Sequence, residues 1–231
     1  YSSQIFLLRG SHEFIDINLK HGFPLDLWDR YTESMTIALY NQINATFCYL
    51  SAAAILGNKY MCAHGGVALS GMTRRSWGGI QKPYLHARDD VVVYDTIFSG
   101  PELRGVEREY VDPDKLYFYG ADWLAVALHS MECKLLIRSH SMLETGYELL
   151  YNMCLSIGTA TGLTRKGNDG AVAIFDANGK LKVRIFEVDK ERIEWDKKLK
   201  RMDANHFEDT DDEGEGAQPA VGPGTGAIKA E

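Results

Sequence analysis

Three times in this 231-residue chain a histidine comes off the end of a short apolar run. His12 follows Ile5-Phe6-Leu7-Leu8 after Arg9-Gly10-Ser11. His64 directly follows Tyr60-Met61-Cys62-Ala63, and His140 follows Leu135-Leu136-Ile137 after Arg138-Ser139. Short apolar runs of this kind read as buried strands. In α/β proteins the carboxyl ends of strands gather on one sheet edge, where polar side chains converge on a rigid support. Three imidazoles on such an edge can form a metal shell. Taken singly, each is more often a hydrogen-bonded loop histidine, so placement alone leaves both readings open. His21, His86, His129 and His206 lie in loops, a helix or the tail, and nothing in the pattern brings them together.

The intervening segments mix helix and strand. Leu25 to Thr46 carries Leu27, Tyr31, Met35, Leu39 and Ile43 at helical intervals and no proline, which predicts helix. Ala52–Leu56 and Lys59–Ala63 flank Gly57-Asn58, a dipeptide suited to a tight turn, and read as a strand pair. Thr73 to Asp114 is polar and dotted with Gly and Pro, as expected of loops and short elements. A helix is expected over Ala121–Glu132. A hairpin is expected from Gly170–Phe175, the Asn178-Gly179 turn and alternating Leu181, Val183 and Ile185, followed by a charged helix over Lys190–Arg201. No internal repeat is visible.

A hydrophobic content of 45% in a chain of this length is enough for one sizeable core. No apolar run approaches the roughly 18–20 residues that cross a bilayer, so a soluble protein without a membrane partner is expected. Cys48, Cys62, Cys133 and Cys154 lie in or beside apolar segments without a C-x-x-C pair, which favours reduced thiols and a cytoplasmic or nuclear location. The net charge of −7 is concentrated in Glu208, Asp209, Asp211, Asp212, Glu213 and Glu215; the nearly neutral remainder gives no electrostatic case for nucleic acid. Residues 202–231 have too few large apolar side chains to offset the entropy of ordering, so a folded part over 1–201 and a disordered acidic tail are expected.

The wording around the histidines resembles a known family. Ile5 to Glu13, ending Arg9-Gly10-Ser11-His12-Glu13, is similar to the F-L-L-R-G-N-H-E segment of the phosphoprotein phosphatases. Cys62-Ala63-His64-Gly65-Gly66 is similar to their C-x-H-G-G. Ile137-Arg138-Ser139-His140 with Gly146-Tyr147-Glu148 downstream resembles their I-x-R-x-H and D-G-Y-E. Asp95 to Pro101 and Tyr117 to Ala121 resemble D-L-L-W-S-D-P and F-x-F-G-A. The resemblance runs from about Gln4 to Val188 in family order.

The resemblance implies a calcineurin-like metallophosphoesterase, an α/β (α+β) fold of two mixed β-sheets packed face to face with helices outside. It also implies two divalent metal ions (Mn, Fe or Zn) and hydrolysis of phosphoserine or phosphothreonine in a phosphoprotein substrate, and it leaves open a regulatory subunit as a second partner. His12 corresponds to the residue that protonates the departing oxygen, His64 and His140 to metal ligands, and Ser11 to the ligand position that the family fills with Asn. Metals neutralise phosphate oxygens and lower the pKa of water, and imidazole is suited to hand over a proton near neutrality. Glu13, beside the loop turn, reads as a structural support.

Several departures qualify this expectation. The forms G-D-x-H-G and G-D-x-V-D-R-G are not in the chain, and Tyr1 stands where Met would be expected. The expectation is therefore the C-terminal two-thirds or so of a catalytic domain, inactive by itself. The Ser11 hydroxyl is shorter than an amide and a poorer ligand for a hard cation. Pro113 falls where the family carries a phosphate-binding Arg, with Arg104, Arg108 and Lys115 as nearby substitutes, and Ala160 falls where it carries a tyrosine over the cleft. Two alternatives therefore accompany the phosphatase reading: a pseudophosphatase that serves as a binding module, and a metallophosphoesterase acting on small molecules.

Overall fold

The computed structural model describes residues 4–68, 72–102, 118–164 and 167–189, together with 191 and 194. The chain divides into Tyr1–Val188 and Asp189–Glu231. Of the second unit only Asp189, Glu191 and Glu194 are described, the last two with helical backbone. The rest of the helix expected over 190–201, and the tail over 202–231, lie outside the described residues. So do Arg104, Arg108, Pro113 and Lys115.

The first unit opens with three helices, α1 (Ile15–Lys20), α2 (Phe23–Trp28) and α3 (Glu33–Phe47). The helical pattern over Leu25–Thr46 is thus broken at residues 29–32, and Thr32 caps α3. The buried face of α3 is also displaced from the apolar spacing: Thr36 and Asn44 are buried, whereas Tyr31 and Met35 are 44% and 50% exposed. Hydrogen bonding explains the shift. Asn18 of α1 donates from Nδ2 to Asn44 Oδ1 at 2.8 Å, and Tyr40 donates from its hydroxyl to Asn18 Oδ1 at 2.9 Å. These partners satisfy the buried amides of Asn18 and Asn44, whereas the Thr36 hydroxyl is buried without a hydrogen-bond partner among the described residues.

Strands β1 (Ala53–Leu56) and β2 (Tyr60–Ala63) form the expected hairpin, with Gly57 and Asn58 both at φ 56°. Leu56 pairs with Tyr60, so the loop is residues 57–59, and Lys59 N–H closes on Leu56 O at 3.1 Å around this pair of positive φ angles. Short helix α4 (Arg74–Gly78) and helix α5 (Val91–Phe98) follow, the latter capped by Asp90 Oδ1, which accepts from the N–H groups of Val92 and Val93. Next come β3 (Gly100–Pro101), β4 (Phe118–Tyr119), α6 (Ala121–Ser130), β5 (Leu135–Arg138), β6 (Tyr147–Leu150) and β7 (Cys154–Ile157). The series ends in the hairpin β8 (Gly170–Phe175) and β9 (Leu181–Phe186). Asp176 Oδ1 holds the β8–β9 turn by accepting from Asn178 and Lys180 N–H, and Gly179 supplies φ +74°.

The main sheet has the order β1-β2-β5-β7-β6, with β2, β5 and β7 parallel at its centre and antiparallel strands at both edges. Central strands bury both faces. On one face Met61, Leu136 and Cys154 pack with Leu124 and Leu128 of α6. On the other, Tyr60, Leu135 and Leu155 pack with Ala173, Phe175, Leu181 and Val183 of the β8–β9 hairpin. The result is the expected layering of two sheets face to face with a helix outside, the second sheet being a hairpin among the described residues. No helix of the described residues is long and apolar enough to cross a membrane. The four cysteines are free thiols.

The segment before His12 departs from expectation. Ile5–Leu8 is not an interior strand: Leu8 makes a lone parallel bridge to Ser51, and Ile5, Phe6 and Leu7 are 60%, 77% and 69% exposed. The reason lies in pairing. The Arg9 N–H donates to Ser51 O at 2.8 Å, but no strand of the described residues lies alongside residues 5–7 to cover them.

Candidate functional site

Residues 9–13 form a loop tied down by a buried arginine. Arg9 is 1% exposed; its guanidinium lies over the rings of both Phe14 and Tyr84 and donates to Glu13 O at 2.8 Å and Tyr84 O at 2.6 Å. Glu13 returns across the turn, its Oε2 accepting from Gly10 N–H at 2.8 Å. That bond gives Glu13 the supporting position expected of it, with Ser11 and His12 at the crest.

His64 leaves β2 into two glycines whose hydrogens are required by close approach. A methyl on Gly65 would sit 2.5 Å from Ile97 O, and one on Gly66 would sit 2.2 Å from the Tyr119 ring. Both glycine N–H groups donate to Thr96 O at 2.9 Å. Ser139 N–H donates to His64 O at 3.0 Å, which joins this turn to the end of β5. Arg138 strengthens the junction: it is 2% exposed and donates from Nε to Gly65 O at 2.5 Å and from Nη1 to Ser141 and Ser156 Oγ. His140 adopts φ 64°, a left-handed conformation uncommon for a residue with a Cβ and one that collects at functional sites.

These turns bring three polar atoms together. His140 Nδ1 lies 3.1 Å from His64 Nε2, and Ser11 Oγ lies 3.3 Å from the same His64 nitrogen. Ligand atoms sharing a cation at about 2.1 Å sit roughly 3.0–3.4 Å apart, so both separations fit neighbouring positions on one coordination shell. Burial, then the nearby His140, Arg138 and His12, push the His64 pKa down to about 4. Burial, then Arg138 and His12, do the same to His140. Both rings are neutral at pH 7, the form in which imidazole ligates metal. Among the described residues no group of three His, Cys, Asp or Glu side chains is disposed to hold a metal ion; the cluster is two imidazoles and a hydroxyl. Carboxylates or carbonyls expected to orient the remaining ring nitrogens are also absent among the described residues. The edge of His64 bearing Nδ1 instead lies against Gly10, 3.3 Å from where a methyl there would be.

His12 is close enough to lower the pKa of both rings, but its own ring meets His21, with centroids 4.4 Å apart. Residue spacing carries no sign of this pairing; six-residue α1 brings His21 back beside His12. The two line a 230 Å³ cavity with Glu13, Asn18, Phe23, Asp26 and Phe47. His86 and His129 do not join the cluster. Ala160 is exposed, and its carbonyl accepts from Asn168 Nδ2. Arg138 also supports the site, and its signal in the sequence is an arginine at the end of an apolar strand, a buried charge that needs partners.

No family model matches the chain. It is 28% identical over 152 residues to "Serine/threonine-protein phosphatase BSL2" of Arabidopsis thaliana, an alignment covering 64% of this chain and 15% of that protein. Its fold superposes with a TM-score of 0.67 on a solved protein serine/threonine phosphatase from Saccharomyces cerevisiae described as similar to human phosphatase PP5. The match has 21% identity and covers 79% of this chain and 60% of the other. The chain thus spans a minor part of the curated relative and well over half of the solved one. It has the fold of that solved serine/threonine phosphatase and is distantly similar, over part of its length, to PPP-type serine/threonine phosphatases.

Proposed function

We propose that this chain contributes part of a metal-dependent centre that hydrolyses phosphoserine and phosphothreonine in proteins. The observation that carries the reading is the approach of His140 Nδ1 and Ser11 Oγ to one nitrogen of His64, at 3.1 and 3.3 Å. On this reading His64, His140 and Ser11 hold one of two divalent cations, and neutral imidazoles suit that role at physiological pH. Bound cations supply positive charge to the phosphate oxygens and acidify the attacking water. His12, at the crest of the loop held by Arg9, delivers a proton to the departing serine or threonine oxygen. Distant similarity to serine/threonine phosphatases supports the reaction class.

One feature favours a second reading, a binding module without turnover. Ser11 offers a hydroxyl where a stronger ligand suits a hard cation, and the cluster lacks a third conventional ligand among the described residues. Metal content and phosphoserine-peptide hydrolysis, measured on the protein at its natural full length, separate the two. The phosphatase reading expects metal-dependent turnover, lost in His64→Ala. Two bound cations with no turnover in Mn, Fe or Zn would leave the binding module.

A further inference from the structure

Arg138 holds a guanidinium nitrogen that nothing among the described residues uses. Nε is taken by Gly65 O and Nη1 by Ser141 and Ser156, yet Nη2 is buried with no hydrogen-bond partner. Leaving both N–H groups of a buried cation unmet is costly, and such groups in folded proteins call for a ligand or a water. The side chain lines a 710 Å³ cavity together with Phe98, Gly100, Phe118, His140 and Glu148. His140 thus belongs both to this cavity and to the cluster with His64.

We propose that Arg138 Nη2 is an oxyanion donor that grips a phosphate oxygen in the cavity beside His140. This rests on the phosphatase reading for its physiological ligand, the phosphoryl group of substrate or product. A free N–H of this nitrogen can donate to a phosphate oxygen, and guanidinium–phosphate hydrogen bonds are among the strongest that proteins make. In this conformation Nη2 is closed to solvent, with Gly100 beside it. A methyl on Gly100 would lie 3.9 Å from Nη2 and 3.6 Å from the Phe118 ring, ordinary contact distances. Gly100 therefore keeps clear the space in front of the nitrogen. Phe118, 39% exposed and next to Gly100 on the cavity wall, would have to turn aside to admit a phosphate. Glu148 is felt electrostatically by Arg138 without forming an ion pair, and it opposes a bound anion from the cavity wall.

The test is titration of metal-free protein with inorganic phosphate, followed by ³¹P NMR and calorimetry. Wild type is expected to bind saturably, and Gly100→Ala to bind about ten-fold or more weakly at unchanged thermal stability, since its methyl blocks Nη2 without a clash. Glu148→Gln is expected to bind about two- to three-fold more tightly. Arg138→Met removes the donor, and its folding is checked by circular dichroism. Equal binding by wild type and Gly100→Ala, or no binding by metal-free wild type, overturns the proposal. Binding that appears only with Mn and vanishes in His64→Ala would discard Arg138 while keeping the phosphatase reading. Metal-free binding lost in Gly100→Ala, with no turnover under any metal, would keep Arg138 and discard the enzyme.

Discussion

The guanidinium carbon of Arg9 lies 3.7 Å from the centroid of the Phe14 ring, with the Tyr84 ring at 4.7 Å. These two ring contacts anchor the loop bearing Ser11 and His12, while two of the arginine's N–H groups close on the carbonyls of Glu13 and Tyr84. Lysine keeps the charge but has neither the planar stack nor the fork. Arg9→Lys is therefore expected to lower stability by about 2–3 kcal/mol in urea unfolding, leaving a buried carbonyl unmet. It should also weaken Mn binding measured by calorimetry, although Arg9 touches no proposed ligand. A variant within about 0.5 kcal/mol of wild type would mean that the loop is held from elsewhere.

Gly65 and Gly66 differ in what their missing side chains avoid. At Gly65 the obstacles are the backbone carbonyls of Ile97 and Ser99, which cannot rotate away; at Gly66 the obstacle is the buried Tyr119 side chain. Gly65→Ala should cost about 3 kcal/mol or more by thermal unfolding. Gly66→Ala should couple to Tyr119→Leu, the double variant being less destabilised than the sum by about 1 kcal/mol or more. Strict additivity would show that the turn absorbs the methyl by moving the backbone instead.

The elements read from periodicity and turn chemistry were those whose signals are local. Gly57-Asn58 dictates its own hairpin, and the alternation over Leu181–Ile185 needs only a partner strand, which Gly170–Phe175 supplies. Misreadings arose where the partner decides. The apolar residues Ile5–Leu7 look like core from sequence, but burial depends on a neighbour, and the fold of the described residues puts none there. In α3, Asn18 and Asn44 reward a polar buried face that hydropathy spacing cannot register. At the site, Ser11, His64 and His140 could be named from their motifs. The tilted ring contact of His21 with His12 at 4.4 Å, and the idle nitrogen of Arg138, depend on how α1 and β5 pack and leave no mark in spacing.

The role given to His12 makes a prediction about leaving groups. A general acid matters most when the departing oxygen is strongly basic, as in a serine alkoxide, and least for nitrophenolate. In the natural full-length protein, His12→Gln should slow phosphoserine-peptide hydrolysis about 10²–10⁴-fold while affecting p-nitrophenyl phosphate far less, with bound metal unchanged. Parallel losses on both substrates together with loss of metal would reassign His12 to holding the site together.

Acid should destabilise the metal-free protein through the pair that approaches at 3.1 Å. Folded His64 and His140 each titrate at about 4, first because burial disfavours the charged ring and then because neighbouring cations and imidazoles do, against an unfolded value of 6.5. Between those values the unfolded chain carries protons on these rings that the folded chain refuses. Their contribution is thus fully present above pH 6.5 and is lost as pH falls toward 4. Urea unfolding of metal-free protein near pH 5 should take up about two protons more than it does at pH 7.5. Carboxylates titrate mostly below this window, so the double variant His64→Gln, His140→Gln should flatten the dependence between pH 5 and 7. If the double variant keeps the wild-type slope, the acid sensitivity belongs to other groups, and the two imidazoles are less enclosed than their approach implies.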